Sequence, residues 1–259
     1  AYTLAVTYRN SYPEIEEYKS VVHEVGVGYI KYLNTYDDYE NVKIIADELI
    51  VSDPNNRLAY NYAIGARVSM SEYQQAIDVC DEALRVFPDA KDFKIKRAGI
   101  LSESGRLDES IDAHKELMLA YPYNKLLRDA YIEELFKKGK SFDDRKMNRQ
   151  AKEVYEEILR IKPSEPTAAI KLANILIDEK EYEQAMTIVD NSLALNRGNN
   201  DLIYKKGEIF DKLEEYAKAK EYIAQYIPPY YKMKEHEDYL SYLDAKMLKN
   251  QVNVSYLSV

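Results

Sequence analysis

The sequence predicts an all-α protein built from stacked helix–turn–helix repeats. Three prolines, Pro54, Pro88 and Pro122, stand thirty-four positions apart in the chain. The residues ahead of them recur in phase, with a small or aliphatic residue twelve positions before each proline and leucine or alanine five positions before it. A fixed period of this length, with proline closing every second helix, is typical of a right-handed superhelical solenoid in which each repeat contacts only its neighbours.

Small residues recur at the position where two helices of a repeat would cross most closely. They interrupt a helical pattern of larger apolar residues, so a bulky side chain there would keep the helices apart. We expect burial at helix–helix contacts for Ala76, Ser110, Ala151, Ala185 and Ala219.

Three segments carry a resemblance to a known family. They are residues 72–88 (EYQQAIDVCDEALRVFP), 106–122 (RLDESIDAHKELMLAYP) and 181–197 (EYEQAMTIVDNSLALNR). Each has an aromatic residue or leucine, a small residue, an aliphatic or aromatic residue, a second small residue and, in two of the three, a proline. This pattern resembles the second helix of the tetratricopeptide repeat (TPR), over roughly residues 23–231. The departures are the absence of tryptophan and Arg197, which stands where proline is expected.

The chain before the first repeat has a different pattern. Apolar and polar residues alternate over residues 1–12, which predicts an extended segment. Pro13 suits the first position of a helix, and acidic residues follow it, so we expect a helix from Pro13 to Asn34. Residues 1–22 are therefore interpreted as an N-terminal extended segment and the start of this helix.

Six repeats follow from the register of the prolines. Their predicted bounds are 23–56, 57–90, 91–124, 125–165, 166–199 and 200–233. The fourth is long, because Pro122 and Pro163 stand seven positions further apart than the other successive prolines. Ala151 keeps its distance to Pro163, so the insertion lies before the second helix, between about Gly139 and Asn148, as a protruding loop or an extended helix end.

The insertion has two interpretations. As a tolerated loop, it could be deleted with almost no change in melting temperature. As a docking segment, it would use its dense basic cluster, which consists of Lys137, Lys138, Lys140, Arg145, Lys146 and Arg149.

Two prolines, Pro228 and Pro229, stop the sixth repeat, and an amphipathic capping helix is predicted over residues 234–250.

The last segment, 251–259, alternates apolar and polar residues, and this pattern predicts a strand that has no neighbouring strand to pair with. This pattern suggests that the chain has been cut from a larger protein, and that trimming at Asn250 would leave the helices unchanged.

Composition excludes several functions. The formal charge of −9 argues against nucleic acid as the main partner, because phosphate binding needs a basic face. No apolar run approaches the length of a membrane-spanning helix. The one cysteine, Cys80, occupies a packing position of a second helix and cannot form a disulfide within the chain.

The sequence contains no recognisable catalytic or cofactor motif. The three histidines are dispersed, His114 occupies a packing position, and no phosphate-binding glycine loop or zinc-ligand spacing is present. We therefore expect no enzyme activity, no metal and no cofactor.

In the TPR family the first helices of the repeats line a concave groove, and the resemblance places the binding surface there. The matching positions of the second and third repeats are Asn61, Tyr62, Gly65, Ser69, Ile95, Lys96, Gly99 and Glu103. Those of the fourth to sixth are Asp129, Glu133, Lys137, Lys171, Asn174, Asp178, Tyr204, Lys205, Glu208 and Lys212. The family also includes carboxylate clamps, of which only fragments are present at Lys31, Asn61 and Lys96. The alternative is that these residues are simply solvated helix faces.

Three hypotheses about function are open at this point. The first is a scaffold that binds a peptide or protein partner. Its more specific form is the periplasmic part of an outer-membrane assembly or export protein, in which residues 251–259 would begin an adjoining β-barrel; a cytosolic adaptor is the alternative. The second is a module whose tyrosine-rich groove binds polysaccharide or another ligand, which requires several of the 25 tyrosines to be exposed in one row there. The third, an enzyme, has no residues to support it.

Overall fold

The computed structural model describes the backbone of residues 1–257 and the side chains of residues 1–250, and this part of the chain is entirely helical. The all-α helix–turn–helix class predicted from the sequence is confirmed. The helices are α1 (Tyr2–Ser11), α2 (Glu16–Asn34), α3 (Tyr39–Ser52), α4 (Arg57–Ser69), α5 (Tyr73–Val86), α6 (Lys91–Glu103), α7 (Leu107–Ala120), α8 (Lys125–Asp144), α9 (Asn148–Ile161), α10 (Pro166–Asp178), α11 (Tyr182–Leu195), α12 (Asn200–Lys212), α13 (Tyr216–Gln225) and α14 (Met233–Leu257), with a short 3-10 helix at Tyr230–Lys232.

The chain divides into two compact units, Ala1–Glu134 and Leu135–Val259. Within each unit, neighbouring helices pair in chain order: α3 packs against α4 and α4 against α5 in the first, and α10 packs against α11 and α12 against α13 in the second. The repeat bounds given above remain a prediction, but each range from residue 57 to residue 233 contains one such pair of helices.

The turn inside each helix pair repeats with the same period as the sequence. Positive φ angles occur at Asp37, Ser71 and Gly105, which are spaced like the prolines, and again at Lys146, Lys180 and Glu214 with the same spacing. Left-handed backbone costs about 1–2 kcal/mol for a residue with a Cβ. Its recurrence at one register position shows that the sharp turn between paired helices is a requirement of the repeat.

Helix starts are fixed by side-chain caps at four places among the described residues. The carboxylate of Asp38 accepts a hydrogen bond from the amide of Asn41, and the side chains of Asn56, Asn124 and Asn199 cap α4, α8 and α12 in the same way. Asp and Asn are favoured at this position because their side-chain oxygen satisfies an amide that has no partner in the helix.

The small residues predicted to lie at helix crossings are all buried, as expected. Ala76, Ser110, Ala151, Ala185 and Ala219 have no exposed surface. Cys80 is also fully buried, and burial of its thiol raises the pKa to about 12. These positions confirm the register on which the repeat prediction rests.

The N-terminal segment differs from the prediction of an extended chain, because residues 2–11 form helix α1. Tyr2, Ala5 and Val6 pack toward the core at helical spacing, and Ala5 is buried. Ten residues are too few for an alternating pattern to be told from a helical one by sequence alone. The following helix begins at Glu16 rather than Pro13, because Ile15 is still extended.

The prediction of a strand in the C-terminal segment is wrong for residues 251–257, whose backbone the structure describes. Helix α14 starts at Met233 and continues through residues 251–257, while residues 258 and 259 lie outside the described part of the chain. Extending an existing helix needs no new nucleus, and each added residue gains a hydrogen bond.

The insertion in the fourth repeat is an extended helix end. Helix α8 has 20 residues, whereas the first helices α4, α6, α10 and α12 have 13 each, so the insertion adds about two helical turns. The added turns are packed into the fold: Gly139 lies against the ring of Tyr155, whose hydroxyl donates to Asp143 at 2.7 Å. Because these turns belong to the packed unit, their deletion is expected to destabilise the chain.

Candidate interaction surface of the first helices

The residues predicted to line the groove all lie at least partly at the surface. Eleven are exposed: Gly65, Ser69, Ile95, Lys96, Glu103, Glu133, Lys137, Lys171, Asn174, Asp178 and Lys212. Seven are half-buried: Asn61, Tyr62, Gly99, Asp129, Tyr204, Lys205 and Glu208. Their exposure is compatible with a binding role, and whether they bind a partner stays a prediction.

In the first unit, two glycines open the surface of successive first helices. A Cβ added at Gly65 on α4 or at Gly99 on α6 would meet no atom within 4 Å. The two glycines occupy the same register position, one repeat apart. Each therefore leaves the helix backbone accessible, which no other residue type would do to the same extent.

The helices that carry these glycines are linked by one charged contact. The guanidinium of Arg57 on α4 donates to the carboxylate of Asp92 on α6 at 2.5 Å and stacks on the rings of Phe87 and Phe93. Burial alone would raise the pKa of Asp92, but the hydrogen bond and charge of Arg57, together with hydrogen bonds from the backbone amides of Asp92 and Phe93, outweigh it and hold that pKa below its usual value. The Arg57 side chain thus links the starts of α4 and α6.

In the second unit, several predicted groove residues are already engaged with their own neighbours. Lys205 forms an ion pair with Glu208 on the same helix, and Lys171 pairs with Asp143 of the α8 extension at 3.1 Å. Tyr204 packs against the ring of Tyr226, and burial raises its pKa to about 12. Tyr204 is therefore better described as part of the packing between α12 and the chain after α13.

Ion pairs between successive repeats recur in the same register and were missed by the sequence reasoning. Lys43 on α3 contacts Glu72 at 3.1 Å in the first unit, and Lys152 on α9 contacts Glu181 at 3.4 Å in the second. In both cases the lysine follows the buried small or aliphatic position, and the acid precedes the next second helix. The repetition of opposite charges at these two positions was the signal that could have found them.

A row of exposed tyrosines at the end of α2 was also missed. Tyr29 and Tyr32 lie on α2 and Tyr36 lies in the turn just after it, with ring centroids 6.3 Å and then 4.9 Å apart. Their spacing of three and four residues is that of one helix face, which is the signal that sequence reasoning could have used. The row lies outside the groove positions predicted from the register.

One buried polar cluster contains a serine, a histidine and a glutamate, but its geometry is structural. The Nδ1 of His114 lies 2.9 Å from the backbone oxygen of Ser110, to which it donates a hydrogen bond when it carries the proton. The Ser110 hydroxyl has no exposed surface and lies 3.2 Å from both Ala98 O and a carboxylate oxygen of Glu134. A substrate could not reach this hydroxyl. The contacts of the cluster instead join α6, α7 and α8, which agrees with the expected role of His114 as a buried packing residue.

The basic cluster lies on the α8 extension, the turn that follows it and the start of α9. The guanidinium of Arg145 bonds the backbone oxygen and hydroxyl of Ser141 and lies over the Phe142 ring, while Arg149 faces Glu153 at 3.4 Å. The contacts of Arg145 with Ser141 and Phe142 give the cluster a structural role in addition to any docking role.

The residues that the structure describes also bear on two other kinds of site. They contain no group of three or more histidine, cysteine or acidic side chains arranged to hold a metal ion. None of their helices combines the length and apolar character needed to cross a membrane.

These observations define a class: a protein made of helix pairs that recur at a constant period, whose surfaces are formed by successive first and second helices. Family models described as tetratricopeptide repeat match residues 66–124 and residues 144–194. These two parts of the chain have the sequence pattern of the tetratricopeptide repeat family. Proteins with this fold are typically scaffolds for protein interaction.

A relative with known sequence is a TPR repeat-containing protein of Methanocaldococcus jannaschii, which is 25% identical over 189 residues. The match covers 71% of this chain and 33% of that protein, so the chain spans about a third of its relative's length.

Solved structures with a similar helical arrangement include a tetratricopeptide repeat protein from Parabacteroides merdae, with 15% identity and a TM-score of 0.42 over 88% of this chain and 92% of that one. Another is the C-terminal part of a TPR repeat-containing protein from Cytophaga hutchinsonii, with 14% identity and a TM-score of 0.47 over 77% of each chain.

Proposed function

We propose that this chain is a non-catalytic scaffold that binds an extended peptide segment of a protein partner on the first helices of unit Ala1–Glu134. The observation that carries the proposal is the pair of open glycines, Gly65 and Gly99, at the same position of α4 and α6. They give a peptide backbone room to approach two successive first helices at equivalent points.

The side chains around these glycines suit a peptide with mixed charge. Asn61 is half-buried and donates its amide to the backbone oxygen of Arg57 at 3.0 Å, which orients its side chain. Lys96 and Glu103 add one charge of each sign on α6, and Ile95 adds an exposed apolar contact. Peptides that bind such surfaces gain affinity from hydrogen bonds and specificity from small pockets for alternate side chains.

The test uses a random peptide library displayed on phage and selected against the whole chain. Binders from the selection are then measured against the double variant Gly65→Leu, Gly99→Leu, in which two leucine side chains fill the open space. We expect most selected peptides to lose at least about tenfold in affinity, which corresponds to about 1.4 kcal/mol.

The matched control is Gln75→Leu, which adds the same side chain at an exposed position of the second helix α5. It should leave peptide affinity unchanged, and both variants should keep the wild-type circular dichroism spectrum. Selected peptides that bind the double variant as tightly as the wild type would show that the first-helix surface is not the site.

The hypothesis of a periplasmic export or assembly protein is not part of this proposal, because it depended on a strand over residues 251–259. The ligand-binding alternative required exposed tyrosines in one row within the groove. Tyr62 is half-buried against the core and Tyr204 is packed, so the predicted groove does not meet that requirement.

A further inference from the structure

Tyr29 and Tyr32 of the tyrosine row form one wall of an open groove, and Tyr36 extends the row beyond it. Tyr2 of α1 lies 6.1 Å from Tyr29, which stacks on Tyr32 with an interplanar angle of 17°, and Tyr36 follows at 4.9 Å from Tyr32. The groove has a volume of about 430 Å³ between the start of α1 and this face of α2. At Gly28 its floor is bare backbone, where an added Cβ would meet no atom within 4 Å.

The row leaves a large aromatic surface in water. The exposed fraction is 57% for Tyr32 and 69% for Tyr36, and Tyr29 is also exposed. Neighbouring exposed aromatic residues are a common feature of interaction sites, because burying each ring removes much apolar area from water while its hydroxyl keeps a polar contact.

Grooves lined by aromatic rings suit a proline-rich segment in the polyproline II conformation. Such a segment is already extended before it binds, so little conformational entropy is lost on binding, and its flat proline rings stack on aromatic faces. The chain itself contains a segment of this kind after α13, with the sequence Ile227-Pro228-Pro229-Tyr230-Tyr231.

The backbone leading into and through the two prolines has the polyproline II form, and Tyr230 and Tyr231 follow in the short 3-10 helix. Tyr226 has φ −69° and ψ 132°, and Pro229 has φ −57° and ψ 149°. Between them, Ile227 and Pro228 each precede a proline, which restricts them to the same region of backbone conformation. The segment is therefore preorganised over four residues.

The structure holds the backbone of the segment and leaves its side chains outward. The side chain of Asn200 donates to the oxygen of Ile227 at 3.0 Å and accepts from its amide at 2.9 Å. The side chains that follow are mostly in solvent: Ile227 is 79% exposed, Tyr230 is 91% exposed and Tyr231 is also exposed. A rigid, apolar, proline-containing ridge is thus displayed by the second unit.

We propose that the tyrosine row of one molecule binds the Ile227–Tyr231 segment of a second copy of this chain. The contact joins two different surfaces, so it is head-to-tail, and it can add further copies unless the geometry closes a ring. It is independent of the proposed peptide surface around Gly65 and Gly99.

The experiment measures self-association of the full 259-residue chain by sedimentation velocity over a range of concentrations. The row variant is Tyr32→Ser with Tyr36→Ser, and the segment variant is Tyr230→Ser with Tyr231→Ser, which retains both prolines. Each should weaken self-association at least about tenfold, because two exposed rings are lost from the contact.

Mixing the two variants provides the decisive measurement. The row variant still carries an intact segment, and the segment variant still carries an intact row, so a one-to-one mixture should form a heterodimer that grows no further. A synthetic peptide spanning residues 225–232 should bind the wild-type chain and the segment variant, but not the row variant.

Two controls separate this contact from others. Tyr123→Ser removes a fully exposed tyrosine elsewhere in the first unit and should leave self-association unchanged, as should the Gly65→Leu, Gly99→Leu variant. A wild-type chain that remains monomeric at all concentrations overturns the proposal, and so does a mixture of the two variants that forms no heterodimer.

Discussion

Replacing glycine by alanine should have opposite effects at two glycines of the first helices. At Gly207 on α12, an added Cβ would lie 2.7 Å from Cδ1 of Ile223, 2.8 Å from its Cγ1 and 3.2 Å from its backbone nitrogen. At Gly65 on α4, the same atom would meet nothing within 4 Å. The same glycine-to-alanine substitution therefore tests packing at Gly207 and helix propensity at Gly65.

The expected magnitudes follow from two terms. Alanine is favoured over glycine inside a helix by about 0.8–1 kcal/mol, which applies at both sites. Overpacking a core by a methyl group costs about 1–3 kcal/mol. Because Ile223 is fully buried and its backbone nitrogen lies near the new atom, we expect the upper part of that range at Gly207.

The net prediction is that Gly207→Ala loses about 1–2 kcal/mol of unfolding free energy, whereas Gly65→Ala gains about 0.8–1 kcal/mol. Both are measured by urea unfolding followed by far-UV circular dichroism, with Gly99→Ala as a second open-site control. If Gly207→Ala were as stable as the wild type while Gly65→Ala were less stable, the assignment of contact and open positions would be wrong.

Four further changes test other parts of the structure. Ala185→Leu should destabilise the chain by about 1–3 kcal/mol in urea unfolding, because the site has no free volume for a larger side chain. Asp143→Ala should lower the unfolding free energy by about 1–3 kcal/mol, because the buried Tyr155 hydroxyl loses its acceptor. An unchanged free energy would favour the interpretation of the α8 extension as a tolerated insertion. The pKa of Tyr204 is raised by burial to about 12 in the folded chain, so its stabilising contribution is complete below about pH 10 and is lost as the pH rises through about 12; phenolate absorbance and helicity should change together in that range. Thiol labelling of buried Cys80 near neutral pH should be slow in the native chain and fast in urea, and equal rates would contradict its burial.

Much of the fold could be predicted because each repeat has the same local sequence pattern. The equal spacing of Pro54, Pro88 and Pro122 located the helix pairs, and the buried positions of Ala76 and Ala151 confirm the register. The ends could not be predicted in the same way. Residues 2–11 and 251–257 lie outside the repeat, and a short alternating pattern there was compatible with both strand and helix.

The candidate surface was predictable only as a set of positions. The register correctly gave residues at the surface, including Gly65 and Gly99, but it also included Tyr204, whose ring packs on Tyr226. Exposure at a given register position depends on which neighbour covers it. That neighbour is set by the chain after α13, which does not follow the repeat.

The sequence by itself therefore determined the all-α class, the period of the repeat and the buried small residues, because these depend on periodic side chains that each repeat must bury against the next. The tertiary structure alone decided which glycines are contacts and which are open, since Gly207 faces Ile223 while Gly65 faces solvent. It also decided that the tyrosines at the end of α2 form an exposed row and that the Ile227–Tyr231 segment is displayed. These properties depend on distances between residues far apart in the chain, which no local pattern specifies.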